Sequence, residues 1–327
     1  MKKLSLVIAV AVVLTVFSAC STDTRYSETY LDFFDTVTEF TAYTSSRDKF
    51  NEAKKALYGE LSRLNALFDA YSDHEDVVNI KTVNDNAGKA AVAVDDDLIR
   101  LVEFGKAEYT RSGGKLNIAM GAVTNLWKDC LEKGVLPDAS ALSDASLHCD
   151  IEKVVVSDGT IYLEDPDMRL DVGAIAKGYA AGRAVELLHG MGVENFAINL
   201  GGNTVTSGKK PSGPWHIGIQ NPNGGILTAL DSYGTSIVTS GDYQRFVTID
   251  GKNYHHIIDP ATLYPCDKYR SVTVICTDHA LADALSTEMF LLDIETGKQI
   301  LKDCGAEAMW VLSDGTLVRS EIFERCE

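Results

Sequence analysis

Three oxygen-bearing side chains stand close together near the C-terminal end of the chain: Asp283, Ser286 and Thr287, within Ala282-Asp283-Ala284-Leu285-Ser286-Thr287. Spacings of three and four residues put them on one face of a helix. One carboxylate and two hydroxyls on a single face suit a hard cation such as Mg²⁺, which takes oxygen ligands. Leu281, Leu285 and Met289 surround that face, and a carboxylate buried among them needs a counter-charge or a metal. The same residues also fit a helix-surface Asp beside two small hydroxyls.

A second segment, Leu170-Asp171-Val172-Gly173-Ala174-Ile175-Ala176-Lys177-Gly178-Tyr179, reads as a strand end, a glycine turn and a helix start. Free backbone N–H groups gather in such a place, which suits an anion. Lys177 falls in the first helical turn, against the helix dipole, and this points to an anionic partner; a solvated lysine explains it as well. Asn199-Leu200-Gly201-Gly202-Asn203 closes a strand with two glycines, which allow a close backbone approach or form a plain turn. Thr239-Ser240-Gly241-Asp242-Tyr243 and Tyr254-His255-His256-Ile257-Ile258-Asp259-Pro260 follow. Neighbours on a strand face opposite ways, so only one of His255 and His256 can face a given site. A His near Ser and Asp raises the idea of a hydrolase triad, but no G-x-S-x-G elbow is present, and a core histidine is the commoner fate. The Walker loop, the G-x-G-x-x-G fingerprint and H-E-x-x-H are also absent.

The elements that must hold these segments follow from periodicity. Phe50, Ala53, Leu57, Leu61, Leu64 and Phe68 recur at helical spacing, which predicts an amphipathic helix from Lys49 to Ala70. Asp95 caps a second helix to about Arg111, stopped by Gly113-Gly114. A third runs from about Ala176 to Met191 and a fourth from about Ala280 to Leu292. Thr36–Tyr43, Phe196–Leu200, Trp215–Ile219, Ile237–Thr239 and Ser271–Cys276 read as strands. Asp158-Gly159, Asp250-Gly251 and Asp314-Gly315 are hairpin turns. Hairpins interleaved with long helices indicate an α+β fold with a largely antiparallel sheet and flanking helices. No Pro-, Gly- or Ser-rich linker interrupts residues 30–327, so one domain is expected there.

The 327 residues carry a formal net charge of −17 and are 45% hydrophobic. That composition is ordinary for a globular protein, and the acidic balance argues against nucleic-acid binding. Met1-Lys2-Lys3 followed by the apolar run Leu4–Phe17 has the form of an export signal, too short to span a membrane comfortably. Ser18-Ala19-Cys20 then resembles a bacterial lipobox, with Phe17 where Leu is usual. On this reading 1–19 is a lipoprotein signal peptide, Cys20 is lipidated, and 20–29 is a tether to the outer face of the cell membrane; a plain signal peptide with an incidental Cys is the alternative. The other cysteines, Cys130, Cys149, Cys266, Cys276, Cys304 and Cys326, form no C-x-x-C pair. They are expected to be mostly buried thiols, with their pairing open.

Taken together and in order, Leu67–Tyr71, Leu170–Tyr179, Ile198–Gly202, Trp215–Pro222, Thr239–Tyr243, Tyr254–Pro260 and Ala282–Thr287 resemble the ApbE-type FAD:protein FMN transferases, over about Phe33 to Leu292. The resemblance implies a single, T-fold-related domain. It also implies Mg²⁺-dependent transfer of FMN from FAD to a threonine hydroxyl of an exported acceptor protein, with release of AMP. Carried over by position, the metal ligands would be Asp283, Ser286, Thr287 and the carbonyl of Ala174. FAD contacts would be Phe34, Tyr71, Asn117, Asp171, Lys177 and Ile257, and His256 would be the base. An FAD pyrophosphatase and a non-catalytic flavin-binding lipoprotein are the alternatives. The chain departs from the family pattern at Phe34-Asp35-Thr36, where Met-Gly-Thr is common. It departs again at Leu116-Asn117-Ile118, which lacks a usual carboxylate, and at Leu263, where Gly is usual.

Overall fold

The computed structural model describes residues 23–321 and 323; the expected signal peptide, Cys20 and Cys326 lie outside them. In chain order, β1 (Thr24–Phe33) and β2 (Thr36–Thr44) lead into α1 (Arg47–Phe68) and α2 (Ile80–Asp85). A short β3 (Val92–Ala93) precedes α3 (Asp96–Arg111), α4 (Gly121–Glu132) and α5 (Ala139–Ser146), then β4 (Val154–Ser157) and β5 (Thr160–Leu163). Helix α6 (Ala176–Gly190) opens the second half. It is followed by β6 (Asn195–Leu200), β7 (Asn203–Ser207), β8 (Trp215–Gln220), β9 (Ile226–Ser232) and β10 (Ser236–Gly241). The short β11 (Phe246–Ile249), β12 (Lys252–His255), β13 (Ile258–Asp259) and β14 (Tyr264–Pro265) come next. The described fold closes with β15 (Tyr269–Cys276), α7 (His279–Leu291), α8 (Ile294–Cys304), β16 (Glu307–Leu312) and β17 (Leu317–Arg319).

The main sheet has eight strands in the order β1-β2-β6-β7-β10-β15-β16-β17, and every neighbouring pair is antiparallel. This is the α+β architecture expected. Side chains alternate across it. Leu200 and Val205 join the core with α1 and α6, and Val238, Val272 and Val274 pack with α7 and α8. Ile237 and Met309 face the other way, where the β8–β9 hairpin covers them with Ile219 and Leu230. The anticipated turns at Asp158-Gly159 and Asp250-Gly251 both take left-handed φ at both residues, as tight hairpins of right-twisted strands require.

The sequence-derived elements need two corrections. Residues 24–29, expected as part of a tether, belong to β1. Tyr26 and Tyr30 alternate with polar residues there: Tyr26 stacks on Phe50 with ring centroids 5.3 Å apart, and the Tyr30 hydroxyl donates to the Lys54 carbonyl at 3.4 Å. Helices α2, α4, α5 and α8 were not anticipated; the first three are short, and their apolar positions do not fill a long helical stripe. Leu263 adopts φ 63°, so the turn keeps the left-handed form although Leu replaces the usual Gly, and the Leu263 carbonyl accepts the indole N–H of Trp127 at 2.7 Å. Among the described residues Cys130, Cys149, Cys266, Cys276 and Cys304 are free thiols, of which Cys266 and Cys276 are buried.

Helices α6 and α7 cross so closely that Gly178 has no room for a side chain. A Cβ there would lie 2.5 Å from the Asp283 Cβ and 2.6 Å from the His279 carbonyl oxygen. Gly178→Ala is therefore expected to force the helices apart and cost roughly 1–3 kcal/mol. Denaturant unfolding measures this, and wild-type stability in the variant would show that the crossing is looser than described.

Candidate active site

The turn before α6 is fixed by its own carboxylate. Asp171 accepts the Gly173 N–H at 2.9 Å and the Thr124 hydroxyl at 2.7 Å, while its N–H donates to the Ile118 carbonyl at 2.8 Å. The chain then enters α6 with Gly173, Ala174, Ala176 and Lys177 along the wall of a cleft of about 840 Å³. That volume lies at the upper end of ordinary ligand pockets, roughly 300–1,000 Å³.

Asp283, on α7, borders the cleft beside these residues and is only 3% exposed. The Gly178 N–H donates to its Oδ2 at 2.8 Å, and Lys177 Nζ lies 3.6 Å from Oδ1. The anionic partner anticipated for Lys177 is thus met first by a carboxylate of the chain itself. Burial pushes the Asp283 carboxyl above its usual range, against the opposing pull of Lys177 and Gly178. Thr287 joins it in the cleft. Ser286 does not: it is fully buried, donates to the Asp283 carbonyl at 2.8 Å, and pairs with the Ser240 hydroxyl at 2.8 Å. The three residues share a side of the helix, but i+3 turns toward the sheet while i and i+4 border the cleft. Ser286 as a metal ligand is therefore not borne out by the geometry.

Of the two histidines, one faces each way. His255 is buried, its Nε2 donates to the Cys266 carbonyl at 2.7 Å, and its Nδ1 accepts the Ile257 N–H at 3.2 Å. His256 lines the cleft. Its Nδ1 lies 3.4 Å from the Arg245 carbonyl, which can only accept, so Nδ1 carries the proton and Nε2 keeps a lone pair. The His256 ring is reached by cleft solvent, yet the walls crowd it, and this desolvation with the nearby His255, Arg245 and Lys177 lowers its pKa to about 4. It is neutral at ordinary pH.

The remaining expected contacts also border the cleft, in different ways. Tyr71 hangs over it on a loop ordered by Asp69, which accepts the Tyr71 and Ser72 N–H groups at 2.7 and 3.0 Å. Lys128 Nζ sits 3.4 Å above its ring centroid. Asn117 spends its amide on the backbone, donating to the Cys149 carbonyl at 2.9 Å and accepting the Ala119 N–H at 2.9 Å. Ile257 supplies an apolar wall. Phe34 and Asp35 form the β1–β2 turn with φ of 50° and 53°, a conformation that costs non-glycine residues free energy and persists only when held. The holders are Asn65, whose Oδ1 accepts the Phe34 N–H at 2.7 Å, and Arg245, which donates to the Phe34 and Asp35 carbonyls at 3.1 and 3.2 Å.

Sequence reasoning missed Arg245, Lys115, Thr124 and Asn203. Lys115 borders the cleft and pairs with Asp259 at 2.9 Å. Asn203 is fully buried in the cleft wall, close enough to Asp283 to lower its pKa, and neither its amide nitrogen nor its oxygen has a well-formed hydrogen bond. The pattern Gly201-Gly202-Asn203 located this residue but gave no sign of its burial. A buried carboxylate, an orphaned amide and the cleft-facing Thr287 and Ala174 form an all-oxygen donor set that fits a hard cation.

A family model described as the ApbE family matches residues 34–310. The chain belongs to the ApbE family. It is 35% identical over 264 residues to the FAD:protein FMN transferase of Treponema pallidum (strain Nichols), covering 74% of this chain and 73% of that protein. It is 34% identical over 249 residues to an FAD:protein FMN transferase of Klebsiella pneumoniae (strain 342), covering 72% and 77%. The crystal structure of the ApbE protein from Thermotoga maritima has a TM-score of 0.84 against it at 28% identity, covering 93% of this chain and 99% of that one.

If the donor set around Asp283 takes a divalent cation, Asp283→Ala should abolish that binding. It should also leave the Gly178 N–H unpaired, at about 1–3 kcal/mol in stability. Calorimetric titration with Mg²⁺, with circular dichroism to confirm the fold, measures both. Undiminished Mg²⁺ affinity would remove Asp283 from the ligand set.

Proposed function

We propose that this chain transfers FMN from FAD to a threonine hydroxyl of an exported acceptor protein and releases AMP. The observation that carries the reading is the convergence on one dinucleotide-sized cleft of a neutral histidine and a buried carboxylate with oxygen neighbours. Membership in a family whose relatives are FAD:protein FMN transferases supports it.

The chemistry follows from the cleft. The hydroxyl oxygen attacks the phosphorus of the FMN half; a new O–P bond forms, the anhydride P–O bond breaks, and AMP leaves with the bonding pair. Nε2 of His256 takes the hydroxyl proton, which a neutral imidazole can do. Lys177 places positive charge beside the diphosphate path, at the positive end of the α6 dipole. Asp283, Thr287 and the Ala174 carbonyl would hold Mg²⁺, which when bound neutralises diphosphate charge and eases departure of AMP. Phe34, Tyr71 and Ile257 offer ring and apolar surfaces for the flavin. Since cleft solvent reaches His256, water replaces the hydroxyl slowly when no acceptor is present and gives free FMN and AMP.

His256→Ala should lower transfer by roughly 10²–10⁴-fold and leave FAD affinity within a few-fold of the wild type. Protonation removes the base, so wild-type kcat/KM should fall on the acid side, with a midpoint below the ordinary histidine value because the site depresses it. Mass gain of the acceptor and flavin fluorescence separate rate from binding. Parallel losses in both would make His256 a binding residue. His255→Ala should instead lower stability, since His255 braces the 257 and 266 backbone.

The same reading places the enzyme outside the cytoplasm, lipid-anchored through Cys20. The short apolar run before Ser18-Ala19-Cys20 supports this. Cys20→Ala should release the domain from washed membranes in cell fractionation; a variant that stays with the membrane would overturn the anchor.

A further inference from the structure

The main sheet offers a cleft on each face at its active-site end. The one described above lies on the helix face. A second, of about 460 Å³, opens on the opposite face, between the sheet and the β8–β9 hairpin. Its floor is a single row of side chains across four strands: Glu39 pairs with Asn199, Asn199 with Thr204, and Thr204 with Ile237. Directly opposed residues share a face. The adjacent row, Thr38, Leu200, Asn203 and Val238, faces the helices and includes the orphaned amide beside Asp283.

The side wall of the second cleft is β8. Ile217, Gly218, Ile219 and Gln220 all border it, and no β9 residue does. Side chains of consecutive strand residues point to opposite faces, so four in succession mean that β8 is seen edge-on. Among the described residues β8 pairs with β9 alone, which leaves the cleft-side edge with unpaired N–H and C=O groups. The two clefts meet where Asp35, Thr36, Gly201, Thr239, Gln244 and Arg245 border both. Arg245 is the partition: its guanidinium holds the Phe34-Asp35 turn and its carbonyl holds His256.

We propose that the second cleft receives the acceptor polypeptide as an extended segment laid along the free edge of β8, with its hydroxyl-bearing side chain passing the junction at Arg245 toward His256. The inference rests on reading the first cleft as the FAD site. A dinucleotide filling that cleft leaves the junction as the inner approach to the reacting phosphorus, and the attacking oxygen must arrive roughly in line with the bond that breaks. An unpaired strand edge recognises main chain of any sequence, and alternate side chains then select. The floor is polar and carries Glu39, with Asp35 at the junction. It therefore favours neutral or basic residues beside the hydroxyl and disfavours acidic ones.

The test uses the full chain. Its acceptor probe is a purified exported protein that natively carries threonine-linked FMN, prepared from cells lacking their own flavin transferase so that the threonine is free. Glu39→Lys reverses the charge of an exposed residue at one end of the floor, and Thr204→Trp fills the floor's middle. Each is expected to lower kcat/KM for the acceptor by about tenfold or more, with FAD affinity and acceptor-free AMP release within about twofold of the wild type. Glu39→Lys keeps the test decisive if Thr204→Trp fails to fold. Transfer within twofold of the wild type in Glu39→Lys and in folded Thr204→Trp would place the acceptor elsewhere. Loss of FAD binding together with transfer would make the second cleft part of the flavin site and also overturn the proposal. A wild-type chain that neither binds FAD nor releases AMP would defeat the reading of the first cleft, and this inference with it.

Discussion

The crossing of α6 on α7 is the constraint on which the rest depends. A backbone N–H in the first turn of one helix is spent on a carboxylate buried in the next, and the contact is closed only because residue 178 has no side chain. A helix N-terminus has N–H groups to give and a positive end to its dipole, so it stabilises a carboxylate that burial alone would neutralise. Lys177 adds to the same balance from 3.6 Å. The helix geometry thus opposes, without cancelling, the rise that burial imposes on the Asp283 carboxyl. The same contact fixes how α7 lies on β10 and β15, which in turn orients Thr287 toward the cleft and Ser286 toward Ser240.

A fully antiparallel sheet makes the two-sided arrangement possible. Opposed residues across the strands form rows on alternating faces, so the β6–β7 turn reaches both clefts, with Gly201 bordering both and Gly202 the second. Gly201 could not carry a side chain, because a Cβ there would meet the Thr36 side chain at 2.4 Å. Close approach between the β1–β2 and β6–β7 turns is what brings Phe34, Asp35 and Arg245 to the same place.

Much of this was legible in the sequence where periodicity or alternation forces the outcome. Asp283 and Thr287 follow from i, i+4 spacing, and the division of labour between His255 and His256 follows from strand alternation. α1 and α3 begin at the Ser46 and Asp95 caps, within two residues of expectation. Helical spacing alone could not say that Ser286 points inward, because a residue at i+3 lies between the cleft side and the sheet side, and tertiary packing decides. Arg245 and Asn203 were silent for a related reason. Each acts through a contact made across the sheet or between distant turns: the glycine pair marked the place of Asn203 but not its burial, and Arg245 sits in no local pattern. The stretch before Tyr30 was misjudged because it holds a single tyrosine, Tyr26, among polar residues, enough for an edge strand on a helix but weak as a pattern.

β1 carries a geometric consequence. Its ten residues begin four positions after Cys20 and end at Phe33, immediately before the turn that borders both clefts. A strand rises about 3.3 Å per residue, so its two ends are separated by roughly 30 Å. For a domain held at Cys20, β1 acts as a ruler set at the attachment point. With Cys20 lipidated as proposed, the near end of β1 would lie close to the bilayer, and the length of the strand would limit the height at which the site opens to roughly 30 Å above that end. A partner resident in the same membrane would then need to present its acceptor group on a stalk or domain of matching reach, whereas one freely diffusing would be under no such rule.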